Sequence, residues 1–271
     1  MELLLLREAI VLAGSAAAAY TDARTGLILD RITYAMIAAG ILLNVFQAQW
    51  LFMAAGIIVF ASGYLLYYMG KIGGGDVKLF AGIAFVLPFL EGNFFLVNAL
   101  FAACVLAGFF YSVFFVAKYA RKGIDWKLNR KSILRAAIFG IAIGAGLGAI
   151  SSMGVVSAQG TIMLALPLGF ALLFLAFEPG IRKSFFLKKI PVKKLEEDEV
   201  VAIDFLDEKA KKALGLVAKG VLGKKEIERL EKAGIKEILV YRNMPAFGPF
   251  IFLGCIAAMA FPNLMASIFA Y

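Results

Sequence analysis

The sequence predicts an all-α polytopic membrane protein of about eight transmembrane helices, with a small cytosolic α/β insert before the last helix. Three observations carry this. Hydrophobic residues make up 62% of the 271-residue chain and charged residues only 17%, far from the balance of a soluble globular domain. Charged side chains are absent from residues 32–70 and 136–177, and Glu91 is the one exception in 79–117. The stretch 182–244 differs sharply, with 16 basic and 11 acidic residues between Arg182 and Arg242.

The elements follow in order. Residues 1–21 form the first span. Arg7 precedes an apolar stretch ending in GSAAAAY, the outline of a cleaved signal peptide, but its cationic part is a single Arg beside Glu8, so the span is expected to be retained. At ~1.5 Å per residue, one helix over 32–70 would be about 58 Å long, roughly twice a ~30 Å hydrocarbon core. It must therefore turn, most simply at the polar QAQW of 47–50, giving spans near 32–46 and 50–70. The same reasoning divides 79–117 at PFLEGN into spans near 77–90 and 94–117. It divides 136–177 at SSMGVVSAQG into spans near 135–152 and 160–178, and leaves 245–269 as the eighth. The chain is thus expected to have three parts: a membrane core over 1–181 with about seven helices, the insert 182–244, and the last helix over 245–271. Within the insert, VVAIDF (200–205) and IKEILVY (235–241) read as strands. GKKEIERLEKAG (223–234) reads as a helix with Ile227 and Leu230 on one face and Gly234 ending it. The acidic EEDE of 196–199 reads as a solvated run, with attraction of a basic substrate segment as the alternative.

Eight spans put the loops near 22–31, 71–78, 118–134 and 179–244 on one face. Every Lys and Arg except Arg7 lies there, so the positive-inside bias makes that face cytosolic and both termini external in a multi-pass cell-membrane protein. The net charge of +9 then reflects loops resting on anionic lipid headgroups, and no nucleic-acid partner is called for. The basic loop KYARKGIDWKLNRKSILR (118–135) reads as a topology determinant rather than a dedicated binding site. The chain has no histidine, which excludes histidine triads, histidine metal sites and histidine proton relays. Its two cysteines, Cys104 and Cys255, fall in spans, so neither a disulfide framework nor a metal site is indicated.

Two acidic side chains stand at cytosolic ends of spans. AYTDARTGLILDRITY (19–34) carries Asp22 and KIGGGDVKLF (71–80) carries Asp76, so topology alone brings them to similar depth. Each has a structural alternative: Asp76 as an N-cap of the helix that follows, and Asp22 as a loop-surface acid paired with Arg24. Asp30 beside Arg31 reads as a solvated pair at headgroup level. The functional reading is an aspartic protease. Two carboxyls a few ångströms apart cannot both ionise, so one holds a proton while the other is a base; together they activate water and polarise a scissile carbonyl. That chemistry needs no metal or cofactor. Gly73, Gly74 and Gly75, lacking Cβ atoms, are expected to let backbone approach closely and let an extended peptide reach Asp76. GKIGGGDVK lacks the spacing of a phosphate-binding P-loop.

These residues resemble the GxGD membrane aspartic proteases, and among them the type IV prepilin (leader) peptidases of the archaeal prepilin and preflagellin type. GGGDVKLFAGI is similar to the GxGD motif with its trailing Val-Lys-Leu, and YTDARTGLILDRITY to the family's first motif. The resemblance implies that Asp22 and Asp76 are the catalytic pair. MPAFGPFIFLG (244–254) is similar to the Pro-Phe-Gly-Pro-Phe stretch opening the family's last span, which implicates Pro245, Phe247 and Pro249 in shaping the site. Lys78 is a further candidate, to tune Asp76 or steer the peptide, with a snorkelling helix-end lysine as the alternative. The implied substrates are type IV pilin-like or archaellin precursors with short basic leaders, cut at the cytosolic membrane face. Long bacterial enzymes of this family add a cytosolic domain with paired cysteines and methylate the new N-terminus. This chain begins with a span and lacks those cysteines, so peptidase activity alone is expected. Two other readings remain at this point: a presenilin-like protease cutting within transmembrane helices, although Pro245-Ala246-Phe247 matches that group's Pro-Ala-Leu poorly, and a proton-coupled transporter.

Overall fold

The computed structural model describes residues 2–69, 72–195, 199–215, 222–242 and 245–269. Helices α1 (Glu2–Thr25), α2 (Asp30–Phe46), α3 (Trp50–Tyr68) and α4 (Gly74–Val86) come first. A hairpin of β1 (Phe89–Leu90) and β2 (Asn93–Phe94) leads into α5 (Phe95–Lys122), α6 (Trp126–Ser152) and α7 (Ala158–Ile181). The next segment holds β3 (Leu187–Pro191), β4 (Val200–Val201), α8 (Glu208–Leu214), α9 (Lys224–Lys232) and β5 (Glu237–Tyr241), and the chain closes with α10 (Gly248–Ala260) and α11 (Ala266–Phe269). Helices thus occupy each of the eight apolar stretches. Five of them, α1, α3, α5, α6 and α7 with its continuation to Phe186, are long and apolar enough to cross a membrane. The other three, α2, α4 and α10, have 17, 13 and 13 residues, and 13 residues reach only about 20 Å.

The short α4 is explained by its surroundings. Leu79, Ala81, Ile83, Ala84 and Val86 are wholly buried, and α4 packs against α1, α2 and α3. A helix apolar all round and covered on every side contributes core rather than a lipid-facing surface. It ends at Leu87, and the chain reverses through Glu91 and Gly92, both at positive φ (50° and 79°), between the paired residues Leu90 and Asn93. Two consecutive left-handed residues suit the twist of a two-residue hairpin.

Contacts between helix ends set their directions. Lys78 at the start of α4 meets Asp30 at the start of α2, with Nζ to Oδ1 2.6 Å. At the opposite end Arg7 of α1 is buried. It donates to the Val86 carbonyl at the end of α4 (2.5 Å), to Asn44 Oδ1 (2.9 Å) and to Gln47 Oε1 (3.2 Å), and lies over the Phe52 ring. Asn44 donates in turn to the Phe85 carbonyl at 2.9 Å. A cation there satisfies carbonyls that the end of α4 leaves free. Replacing Arg7 with Met strips these buried acceptors of their donor, so we expect a loss of about 3 kcal/mol, visible as a lower melting temperature of the detergent-purified protein. Arg24→Met, which removes only an exposed side chain stacked on Tyr20, should leave that temperature unchanged.

Between α7 and α10 lies a three-stranded antiparallel sheet in the order β3-β5-β4. Ile190, Val192, Val201, Leu206, Leu214, Leu230, Ile238 and Val240 form its core with α8 and α9. The predicted helix is α9, with Leu230 buried and Gly234 at φ +68° just past its end, and the predicted strand 235–241 is β5. The strand expected over 200–205 stops at Val201. Neighbours Val201 and Ala202 are both buried, which breaks the alternation a strand requires, and Ile203–Phe205 turns as a 3-10 helix. Strand β3 was hidden by Lys188, Lys189 and Pro191, residues typical of a protected edge. Helix α8 starts on Asp207, whose side chain accepts from the Ala210 N–H at 2.8 Å. Of EEDE, residues 196–198 lie outside the described residues, and Glu199 pairs with Arg242.

Candidate active site

The site lies where the end of α1 meets the beginnings of α4 and α10. Helix α1 runs to Thr25 and closes on Gly26, at φ +72°, whose N–H donates to the Asp22 carbonyl at 2.8 Å. Asp22 therefore sits in the last turn of α1 rather than in the loop, and it is 7% exposed. It does not pair with Arg24, which stacks on Tyr20. Its Oδ2 accepts the backbone N–H of Gly248 at 2.7 Å, a buried bond spanning most of the chain.

Gly248 is the first residue of α10, and the amino end of a helix, with unpaired N–H groups, is suited to holding a carboxylate. Pro249 follows in the first turn, where its missing N–H removes no helical bond and its fixed φ suits the helix. A Cβ at position 248 would stand 2.9 Å from Asp22 Oδ2, 3.0 Å from Asp22 Cβ and 3.3 Å from Ala19 Cα. Only glycine lets α10 approach α1 so closely. The half-buried Pro245 and Phe247 form the approach; Phe247 packs on Phe80 of α4, ring centroids 6.4 Å apart, and Tyr111 of α5 donates its hydroxyl to the Ala246 carbonyl at 2.5 Å.

Asp76 stands in the first turn of α4, but not as its cap. The N-cap is Gly73, with no side-chain capping bond, and the half-buried Asp76 carboxyl has no hydrogen-bond partner among the described residues. The charge of Asp22 acts on Asp76 and also on Tyr111, so the two acids share one electrostatic environment. The three glycines are filled in by the protein's own atoms. A Cβ at Gly73 would lie 3.0 Å from Asp76 Oδ2, one at Gly74 3.3 Å from the Tyr67 ring, and one at Gly75 3.0 Å from Ile28 Cβ. They allow the α1–α2 link and α3 to close on α4. Lys78 is engaged elsewhere, with Asp30 and over the Tyr34 ring at 5.2 Å; Asp30, read as a partner of Arg31, takes Lys78 instead.

Gly248 and Tyr111 went unnoticed in the sequence. Gly248 lay inside the quoted MPAFGPFIFLG and could have been singled out as a small residue flanked by Phe and Pro at a helix start. Tyr111 is one hydroxyl among the phenylalanines of FFYSVFF, a pattern that also fits a lipid-facing helix.

Comparison with known proteins agrees with the resemblance seen in the sequence. Residues 9–113, which include both aspartates, match the type IV leader peptidase family. Among curated proteins the chain is similar to prepilin peptidase EppA of Methanothermobacter thermautotrophicus, 40% identical over 80 residues that make up 27% of this chain. That similarity spans only 21% of the relative's length. No solved structure matches.

Proposed function

We propose that this chain is a type IV leader peptidase: a membrane-embedded aspartic endopeptidase that removes short basic leaders from type IV pilin-like or archaellin precursors. Asp22 and Asp76 are its catalytic pair. The observation that best supports the reading is the buried Gly248 N–H bond to Asp22 at 2.7 Å, which orients one carboxylate, while the second acid, Asp76, has no hydrogen-bond partner among the described residues.

In the reaction, the ionised member of the pair takes a proton from water as the oxygen attacks the scissile carbonyl, while the protonated member donates its proton to the carbonyl oxygen. Collapse of the tetrahedral intermediate breaks the C–N bond and sends a proton to the leaving amine. No cofactor enters these steps. All eight helices then belong to the membrane domain, α4 and α10 as short inner elements. The basic loops face the cytosol, the termini are external, and the pair sits at the cytosolic face where a basic leader would lie. The segment 182–244 is then cytosolic.

Incubating the detergent-purified protein with a set of such precursors and reading new N-termini by mass spectrometry tests this. A single cut just before the hydrophobic helix of a precursor is expected; failure to cut any of them, or cuts deep within the helix, would overturn it. Tyr111→Phe should slow cleavage roughly three- to tenfold, the worth of one hydrogen bond that holds the α10 approach, with kcat rather than KM carrying the loss.

A further inference from the structure

We propose that the chain also carries a phosphate-binding pocket for an anionic lipid headgroup, in a cavity of about 310 Å³ where α5 ends, α6 begins and α7 gives way to the sheet. It lies outside the site described above. Lys122, Lys183, Ser184 and Tyr119 line it together with Asp125.

Its floor is a fixed polar knot. The hydroxyl oxygen of Tyr119, a residue 3% exposed, accepts from the Asp125 N–H at 3.0 Å and from Asn129 Nδ2 at 2.9 Å. Asn129 Oδ1 accepts in turn from the Gly180 N–H at 3.1 Å. Both lone pairs of the Tyr119 oxygen are thereby used, and its hydrogen has no acceptor among the described residues. The remaining polar groups are mostly donors: the Lys183 ammonium, the Ser184 hydroxyl, and the Lys122 ammonium, which makes a long 3.4 Å bond to the Ser184 carbonyl and lies 5.5 Å from the centre of the Phe185 ring. Asp125 is the one acid, and its Oδ1 is already committed to the Leu128 N–H at 3.0 Å as the cap of α6. A wall of donors and two cations calls for a ligand rich in acceptor oxygens and negative charge, which is a phosphate.

Location names the source of that phosphate. Three helices long and apolar enough to cross a membrane share this end, and Trp126 beside the cavity is 64% exposed, as an aromatic at the bilayer surface would be. Basic pockets between such helix ends are placed to take lipid headgroups. The loop 118–135, read above as a topology determinant, thereby acquires a built site.

The test uses the full chain in neutral detergent, titrated separately with phosphatidylglycerol, phosphatidylcholine and inorganic phosphate, with binding followed by native mass spectrometry and melting temperature. Phosphatidylglycerol is expected to bind and stabilise, phosphatidylcholine and millimolar phosphate to do so far less. Lys122→Gln and Lys183→Gln should each weaken phosphatidylglycerol binding roughly fivefold. Lys127→Gln/Lys131→Gln, which removes twice the charge of either single variant at positions that do not line the cavity, should leave binding near wild type. Lys183 is exposed and makes no hydrogen bond among the described residues, so its variant reports on binding even if Lys122→Gln misfolds. An equal response to both lipids, or an equal loss in the control double variant, would overturn the site. Stabilisation by inorganic phosphate as strong as by phosphatidylglycerol would overturn the lipid assignment.

Discussion

Replacing Asp22 or Asp76 with Asn is expected to abolish leader cleavage, by at least about 10³-fold for either single change, while the protein stays folded. The magnitude is that of removing a positioned proton-transfer group from a reaction that uses two. Asn is nearly isosteric, and at position 22 its side-chain oxygen can still accept the Gly248 N–H that now reaches Asp22 Oδ2 at 2.7 Å. Packing of α10 on α1 should therefore survive, and loss of activity would report on proton transfer rather than on geometry. Unchanged melting temperatures alongside lost cleavage are the expected pair of measurements; full activity in either variant would remove that residue from the mechanism. The wild-type rate should describe a bell against pH, because a pair that works with one proton fails when it holds two or none. A rate independent of pH between about 4 and 9 would speak against a carboxyl pair.

Gly248→Ala is expected to reduce cleavage by roughly 10- to 100-fold without touching either acid. The new Cβ would lie 2.9 Å from Asp22 Oδ2 and 3.3 Å from Ala19 Cα. Those neighbours belong to a packed helix, so the amino end of α10 must move away. The Gly248 N–H then loses Asp22, and a hydrogen bond to a buried carboxyl of this kind is worth about 1.5–3 kcal/mol. If the effect is local, the variant should still insert and melt cooperatively, with its loss concentrated in kcat. Activity equal to wild type would mean that the α10 amino end takes no part in orienting Asp22.

The two acids stand out in the sequence because each violates its surroundings: Asp22 at the end of an apolar helix, Asp76 behind three glycines between two long runs almost free of charge. Gly248 violated nothing. A glycine beside a proline at a helix start is ordinary, and its meaning comes from Asp22, more than two hundred residues away. Arg7 stands out in the sequence as the one cation outside the basic face. Its burial against Val86, Asn44 and Gln47 depends on three helix ends converging, which no local pattern encodes. The neighbours that stand close to Gly74 and Gly75, Tyr67 and Ile28, likewise come from other elements. In the segment 182–244, amphipathic α9 and apolar β5 were legible, whereas β3 carries edge lysines and a proline that suppress the strand signal.

The sequence by itself determined the apolar stretches, the points where they turn, the charge asymmetry of the loops and the identity of the two acids, because hydrophobicity, charge and chain length are properties of contiguous residues. The tertiary structure alone decided that short α4 packs against α1, α2 and α3, that α10 presents an N–H to Asp22, and that Lys78 pairs with Asp30. Those are distances between elements far apart in the chain, and they are set by which side chains can pack without leaving a gap or a clash.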